Sequence, residues 1–235
     1  MTFTRRRALG TLVAIAALPA LTPLLGHAAQ PLRIGVIGAG WLGSTVGKAW
    51  VRAGHEVMFS SRHPETLASM ANSLGPRAST GTPAQAAAFG EVLLFAVPYD
   101  ALPALGRDLQ ASLLGKVVLD ACNAPATGSA LAQEAATNGV GKTSAKYLPG
   151  TKLVRAFSAV DASAIEASNG TLGVPLASDD PQALKVAEQL VRDADCVPVV
   201  VGDLNAATRF QRGGPGFRAN TDAANLRRLL GLPEA

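Results

Sequence analysis

The residues best suited to chemistry lie near position 40. Gly38-Ala39-Gly40-Trp41-Leu42-Gly43 has the G-x-G-x-x-G spacing. It follows a short apolar run, Leu32–Ile37, and opens a helical stretch that reaches Ala53. A strand, a glycine turn and a helix in that order form the binding fingerprint of a dinucleotide. Gly38 allows the tight turn, Gly40 lets the backbone approach a pyrophosphate, and Gly43 lets the helix sit close on the strand. The helix start turns unpaired N–H groups toward the phosphates. The bland alternative is a bare glycine turn in an Ala- and Gly-rich chain.

The second group lies 22 to 24 residues after Gly38, at Ser60-Ser61-Arg62. An NAD site would carry Asp or Glu there to hold the ribose hydroxyls. Two hydroxyls and a guanidinium suit a 2′-phosphate instead, so the tip predicts NADP(H). A solvated surface charge at Arg62 is the competing reading.

These groups need a scaffold. Glu56–Phe59, Arg77–Thr80, Glu91–Val97, Lys116–Asp120 and Lys152–Phe157 read as further strands, with helical segments between them as parallel crossovers require. The fold class expected is α/β, a Rossmann-type doubly wound and mainly parallel sheet. The carboxyl ends of its strands bring Ala96, Val97, Pro98, Tyr99, Asn123 and Ser158 to the ligand crevice. Residues 32–158 would form the nucleotide domain. Residues 159–235 would add a short α/β extension: helix Ala159–Ser168, strand Leu172–Ala177, helix Pro181–Asp193, strand Cys196–Val201, a 212–216 loop and a terminal helix Thr221–Leu230.

Residues 1–28 read as a twin-arginine signal peptide, from Thr4-Arg5-Arg6-Arg7-Ala8-Leu9 through an apolar stretch to Gly26-His27-Ala28. That predicts a periplasmic protein without stable membrane insertion after cleavage. An uncleaved anchor is the alternative. Without this leader the chain has 18 basic and 17 acidic residues, and no electrostatic footprint for nucleic acid. The composition is 48% hydrophobic and only 5% aromatic, which suits helices packed closely on a parallel sheet.

No protein acid or base for alcohol chemistry stands out. His55 lies in a turn and His63 at the adenosine end, while Tyr99 and Tyr147 lack a Lys four residues on. No Cys/His cluster has metal-ligand spacing, so no metal and no catalytic side chain are assigned. Cys122 and Cys196 read as two small buried residues, their pairing left open.

With these pieces in place the chain resembles the coenzyme F420-dependent NADP oxidoreductase family, which shares its nucleotide domain with pyrroline-5-carboxylate reductases and STEAP-type ferric reductases. The matching segments are Arg33–Gly43, Ala53–Val57 leading to Ser61-Arg62, Ala96–Tyr99, Asp120–Asn123, and Leu148-Pro149-Gly150 through Arg155-Ala156-Phe157. The family's Lys-Ala-Phe-Asn is Arg155-Ala156-Phe157-Ser158 here, and its Asn-Pro is Asn123-Ala124-Pro125. Both departures face the acceptor side.

The resemblance implies hydride transfer between NADP(H) and a flavin-like or deazaflavin (F420-type) ring, and a homodimer. Gly38 to Gly43 would hold the pyrophosphate and Ser60, Ser61 and Arg62 the 2′-phosphate, with Ala96, Val97, Pro98 and Asn123 on the nicotinamide side. A non-catalytic NADP-binding sensor and a reductase of small cyclic imines are the alternatives.

Overall fold

The computed structural model describes residues 30–234, so the expected leader lies outside the described residues. The elements run β1 (Arg33–Ile37), α1 (Trp41–Arg52), β2 (Glu56–Ser60), α2 (Ala68–Leu74), β3 (Ala78–Gly81) and α3 (Pro83–Phe89). Then come β4 (Val92–Phe95), α4 (Leu102–Asp108), α5 (Gln110–Leu113), β5 (Val117–Asp120), α6 (Ala130–Asn138), α7 (Val140–Tyr147) and β6 (Lys152–Arg155). The chain closes with α8 (Ala162–Glu166), β7 (Gly173–Ala177), α9 (Pro181–Asp193), β8 (Val197–Gly202) and α10 (Ala223–Leu229).

The eight strands of the described residues form one sheet in the order β3-β2-β1-β4-β5-β6-β7-β8. The first six are parallel, in the doubly wound order whose switch point falls between β1 and β4. The C-terminal segment expected as an extension therefore continues this sheet. It joins through β7, which runs antiparallel to β6 through the single pair Arg155 and Ala177, and β8 then lies parallel to β7.

Helices cover both faces because the strands are apolar on both sides. Val92-Leu93-Leu94-Phe95 is buried throughout. On one face α1 and α9 pack together: the Trp50 indole N–H donates to the carbonyl of Leu190 at 2.7 Å, and its ring meets Phe157 edge-on at 5.9 Å. Ala183, Ala187, Leu190 and Val191 give α9 an apolar stripe at helical spacing, and the Asp180 side chain caps its first turn. The other face buries Phe95, Tyr99, Leu102, Leu113, Val140 and Leu153.

Two boundaries differ from expectation for one reason. The sixth strand stops at Arg155, and the following helix begins only at Ala162, because Phe157 sits at φ 57°. A left-handed residue can continue neither a strand nor a helix.

At the ends of β5 and β6, Asp120 and Arg155 form an ion pair with both side chains fully buried. The second carboxylate oxygen of Asp120 accepts the Cys122 N–H at 2.9 Å, whereas Nε and Nη2 of Arg155 meet no acceptor among the described residues. Such a pair contributes little net stability, yet breaking it on one side is costly. Asp120→Ala should therefore lose about 3–5 kcal/mol. The double variant Asp120→Leu/Arg155→Met should recover most of that loss in urea denaturation. A double variant as unstable as the single one would show that the pair, and not an unpaired charge, sets the cost.

Candidate nucleotide-binding cleft

The cleft is built by backbone crowding at the end of β1. Gly38 has φ +98°, and a Cβ there would stand 2.6 Å from the carbonyl oxygen of Ala96. A Cβ on Gly43 would stand 2.2 Å from the carbonyl oxygen of Gly38. Glycine at both positions lets α1 begin directly against the turn and lets the turn lie against the end of β4. Two backbone bonds then pin the turn: Ala39 N–H donates to Ser60 at 2.9 Å, and Ala96 N–H donates to Ile37 at 2.9 Å.

Gly40 is different. Its backbone is extended (φ −71°, ψ −166°), and a Cβ on it would meet nothing within 4 Å. The space above it is open. No side chain caps the first turn of α1, and no acidic residue lies there. The residues present thus suit a phosphate group: unpaired N–H donors, the positive end of a 12-residue helix, and room for close approach.

Around this turn lies a cleft of about 600 Å³. It joins Gly38, Ala39, Gly40, Ser60, Ser61, Arg62, Ala96, Val97 and Pro98, nine of the residues singled out from the sequence. Leu67, Pro83, Ala101, Ala104 and Leu105 add an apolar wall, with Thr66 beside them. Sequence reasoning missed these six; they lie on connecting helices and turns, where apolar residues look the same whether they face a core or a ligand. Arg62 is the single charged residue in the lining. It is exposed and has no ion-pair partner among the described residues.

Four predicted residues sit elsewhere. Trp41 is 67% exposed and does not line the cleft. Leu42 packs against the core below α1. Gly43 acts by permitting close packing. Asn123 lines a second cavity at the end of β5, where its amide donates to the carbonyl of Ser158 at 2.6 Å. Ser60 borders the cleft, but its buried hydroxyl donates to the carbonyl of Val36 at 2.7 Å. Its role is to tie β2 to β1, and the hydroxyl free to donate to a ligand is that of Ser61, whose oxygen accepts only the His63 N–H.

Tyr99 turns away from the crevice. Its hydroxyl donates to Val140 at 3.2 Å and accepts from Ser144, and burial pushes its pKa up to about 12. His55 is buried, accepting the Leu32 N–H on Nδ1 and facing Asp193 through Nε2 at 2.9 Å. Both cysteines are free and buried; burial holds the Cys122 thiol well above its ordinary value and pushes Cys196 to about 11. None of these groups is placed or poised to move a proton in the cleft.

A glycine turn at the switch point of a doubly wound sheet defines a Rossmann-type dinucleotide-binding fold. Residues 33–124 match the model of the family described as NADP oxidoreductase, coenzyme F420-dependent, the family whose motifs the sequence resembles. The match supports that family for the nucleotide-binding part of the chain.

Among solved structures, a hypothetical protein from Sinorhizobium meliloti is 26% identical with a TM-score of 0.69, covering 80% of this chain and 93% of its own. A proposed F420-dependent NADP reductase from Arthrobacter sp. FB24 is 24% identical with a TM-score of 0.64, covering 75% and 87%. An imine reductase from Myxococcus stipitatus in complex with NADP+ is 18% identical with a TM-score of 0.58; the match covers 76% of this chain and 57% of the reductase. The last two share the fold.

The glycines separate packing from ligand access. Gly43→Ala should cost about 1–3 kcal/mol of stability, because backbone must move to admit the methyl group. Gly40→Ser should stay within about 0.5 kcal/mol of wild type, since its side chain enters open space and serine is a favoured helix cap. Equal losses in thermal or urea unfolding would contradict this division.

Proposed function

We propose that the cleft holds NADP(H) and that the protein passes hydride between it and a flavin-like or deazaflavin ring. The observation that carries the nucleotide assignment is the meeting, in one cleft, of open space over Gly40 and the unpaired Arg62 with no carboxylate among the lining residues. The family match supports NADP-dependent oxidoreduction.

The backbone at Gly38–Gly40 and the first turn of α1 bind the pyrophosphate. Arg62 forks onto the 2′-phosphate, and Ser61 donates to it. Leu67, Pro83, Ala104 and Leu105 offer the apolar wall that a flat base needs. NADPH supplies a hydride, and a ring acceptor takes it with one proton from water. Such an exchange demands alignment more than a protein acid or base. The commitment of Tyr99 and His55 to buried hydrogen bonds agrees with that demand.

Arg62→Ala should weaken NADPH by roughly 10- to 100-fold, the value of a lost charge-assisted phosphate contact. NADH affinity should hardly change. Equal losses for both nucleotides, followed by nucleotide fluorescence, would remove the 2′-phosphate assignment.

Export to the periplasm is part of the same proposal, on the strength of Thr4-Arg5-Arg6-Arg7-Ala8-Leu9. Replacing Arg5 and Arg6 by Lys should leave the precursor in the cytoplasm. Unchanged periplasmic yield on fractionation would refute the twin-arginine route.

A further inference from the structure

A second cavity, of about 350 Å³, opens at the carboxyl end of β5. Its walls are small and apolar, with Ala132, Ala135 and Val140 among them. Its polar groups are Asn123, Gln211 and Arg212, and no carboxylate lines it.

Two of those groups are already engaged. The Asn123 amide donates to Ser158, and Gln211 Oε1 accepts the Val140 N–H at 2.9 Å. Arg212 is held but not neutralised. Its Nε donates to the carbonyl of Ala124 at 3.3 Å, and its guanidinium carbon lies 5.1 Å from the centre of the Phe217 ring. Its two terminal nitrogens have no acceptor among the described residues. The nearby Arg218, by contrast, is paired with Asp161 at 2.6 Å.

The cavity also stands in the right place relative to the nucleotide cleft. Its lining begins at Asn123, three residues beyond the end of β5. The neighbouring strand β4 ends at Phe95, and the next residues, Ala96–Pro98, line the cleft. Adjacent strands are about 4.8 Å apart, so the end of β5 lies roughly 10 Å from the glycine turn of β1. A small ring compound can bridge that span.

We propose that this cavity takes the anionic arm, carboxylate or phosphate, of a planar-ring ligand, and that Arg212 is the residue that reads it. On the proposed function above, on which this inference rests, that ligand is the hydride acceptor. A guanidinium fixed along one edge and one face presents its remaining N–H groups as a ready fork, which suits both oxyanions and discriminates against a neutral arm. Because Arg212 is exposed, the gain should sit at the lower end of charge-assisted contacts, about 10-fold.

The test uses the NADP+-loaded full-length protein and two flavin pairs whose members differ by one anionic group: FMN against riboflavin (phosphate), and 10-carboxymethylflavin against lumiflavin (carboxylate). Binding is read by flavin fluorescence for wild type, Arg212→Gln and Arg212→Lys. At least one charged member should bind about 10-fold more tightly than its neutral counterpart. The preference should vanish in Arg212→Gln and persist in part in Arg212→Lys, with NADP+ affinity unchanged. Which pair shows it identifies the arm as phosphate or carboxylate.

A preference that survives Arg212→Gln, or no preference in either pair, would overturn the inference and leave Arg212 as a staple for the loop around Gly213. NADPH oxidation by the same proteins and flavins, followed in separate samples loaded with NADPH, keeps the two proposals apart. Charge-selective binding without hydride transfer would sink the acceptor reading while the anion site stands. Hydride transfer indifferent to charge would do the reverse.

Discussion

The structure depends on how closely backbone meets backbone at the end of β1. The carbonyl of Gly38 occupies the place where a side chain on residue 43 would begin, and the carbonyl of Ala96 crowds residue 38 in the same way. This contact sets the distance from α1 to the sheet and from the turn to β4. Crowding recurs along the same elements: a Cβ on Gly47 would enter the Phe59 ring, and one on Gly35 would strike the carbonyl of Ala86. The scarcity of aromatic residues and the abundance of Ala and Gly follow from that tight spacing. With both glycines spent on packing, Gly40 is left bordering open space, and the free start of α1 faces it.

A second constraint acts on the other side of the switch point. Parallel pairing ends at β6, where the chain turns sharply through Phe157 before β7 enters in the opposite sense. Arg218 and Asn220 also have positive φ, at 53° and 44°, and both side chains bond Asp161 just beyond that turn. Non-glycine residues in this conformation cost of order 1–3 kcal/mol each and persist where surrounding contacts hold them. Here the holding contacts include the Trp50–Phe157 packing and the Arg218 N–H bond to Ala159. The turn is tied to the second cavity through Asn123, which lines that cavity and donates to the carbonyl of Ser158, the residue after Phe157.

Much of this was legible in the sequence. Most of the six parallel strands announce themselves as short apolar runs, β3 (Ala78–Gly81) being the exception; α3 begins at Pro83, and α9 keeps its expected bounds of Pro181–Asp193. Both helices carry an explicit start signal: Thr82 and Gln85 form a capping box, and Asp180 caps ahead of Pro181. The glycine turn and Arg62 were readable because motif spacing encodes backbone geometry. Side-chain commitments were not. Nothing in the type or position of Ser60 shows that its hydroxyl is spent on Val36, or that Tyr99 turns into the core while Pro98 lines the cleft. The positive φ of Phe157 and the reversed direction of β7 depend on contacts far apart in the chain, to which local patterns are blind.

The central claim is that the cleft at the end of β1 reads a 2′-phosphorylated adenosine. The most direct measurement is competition for bound NADPH by 2′,5′-ADP and by 5′-AMP, which share the adenine, ribose and 5′-phosphate and differ in the 2′-phosphate alone. The account predicts that 2′,5′-ADP displaces NADPH at a concentration at least roughly 10-fold lower. Displacement at equal concentrations would contradict it, because Arg62 would then make no contact that depends on the 2′-phosphate.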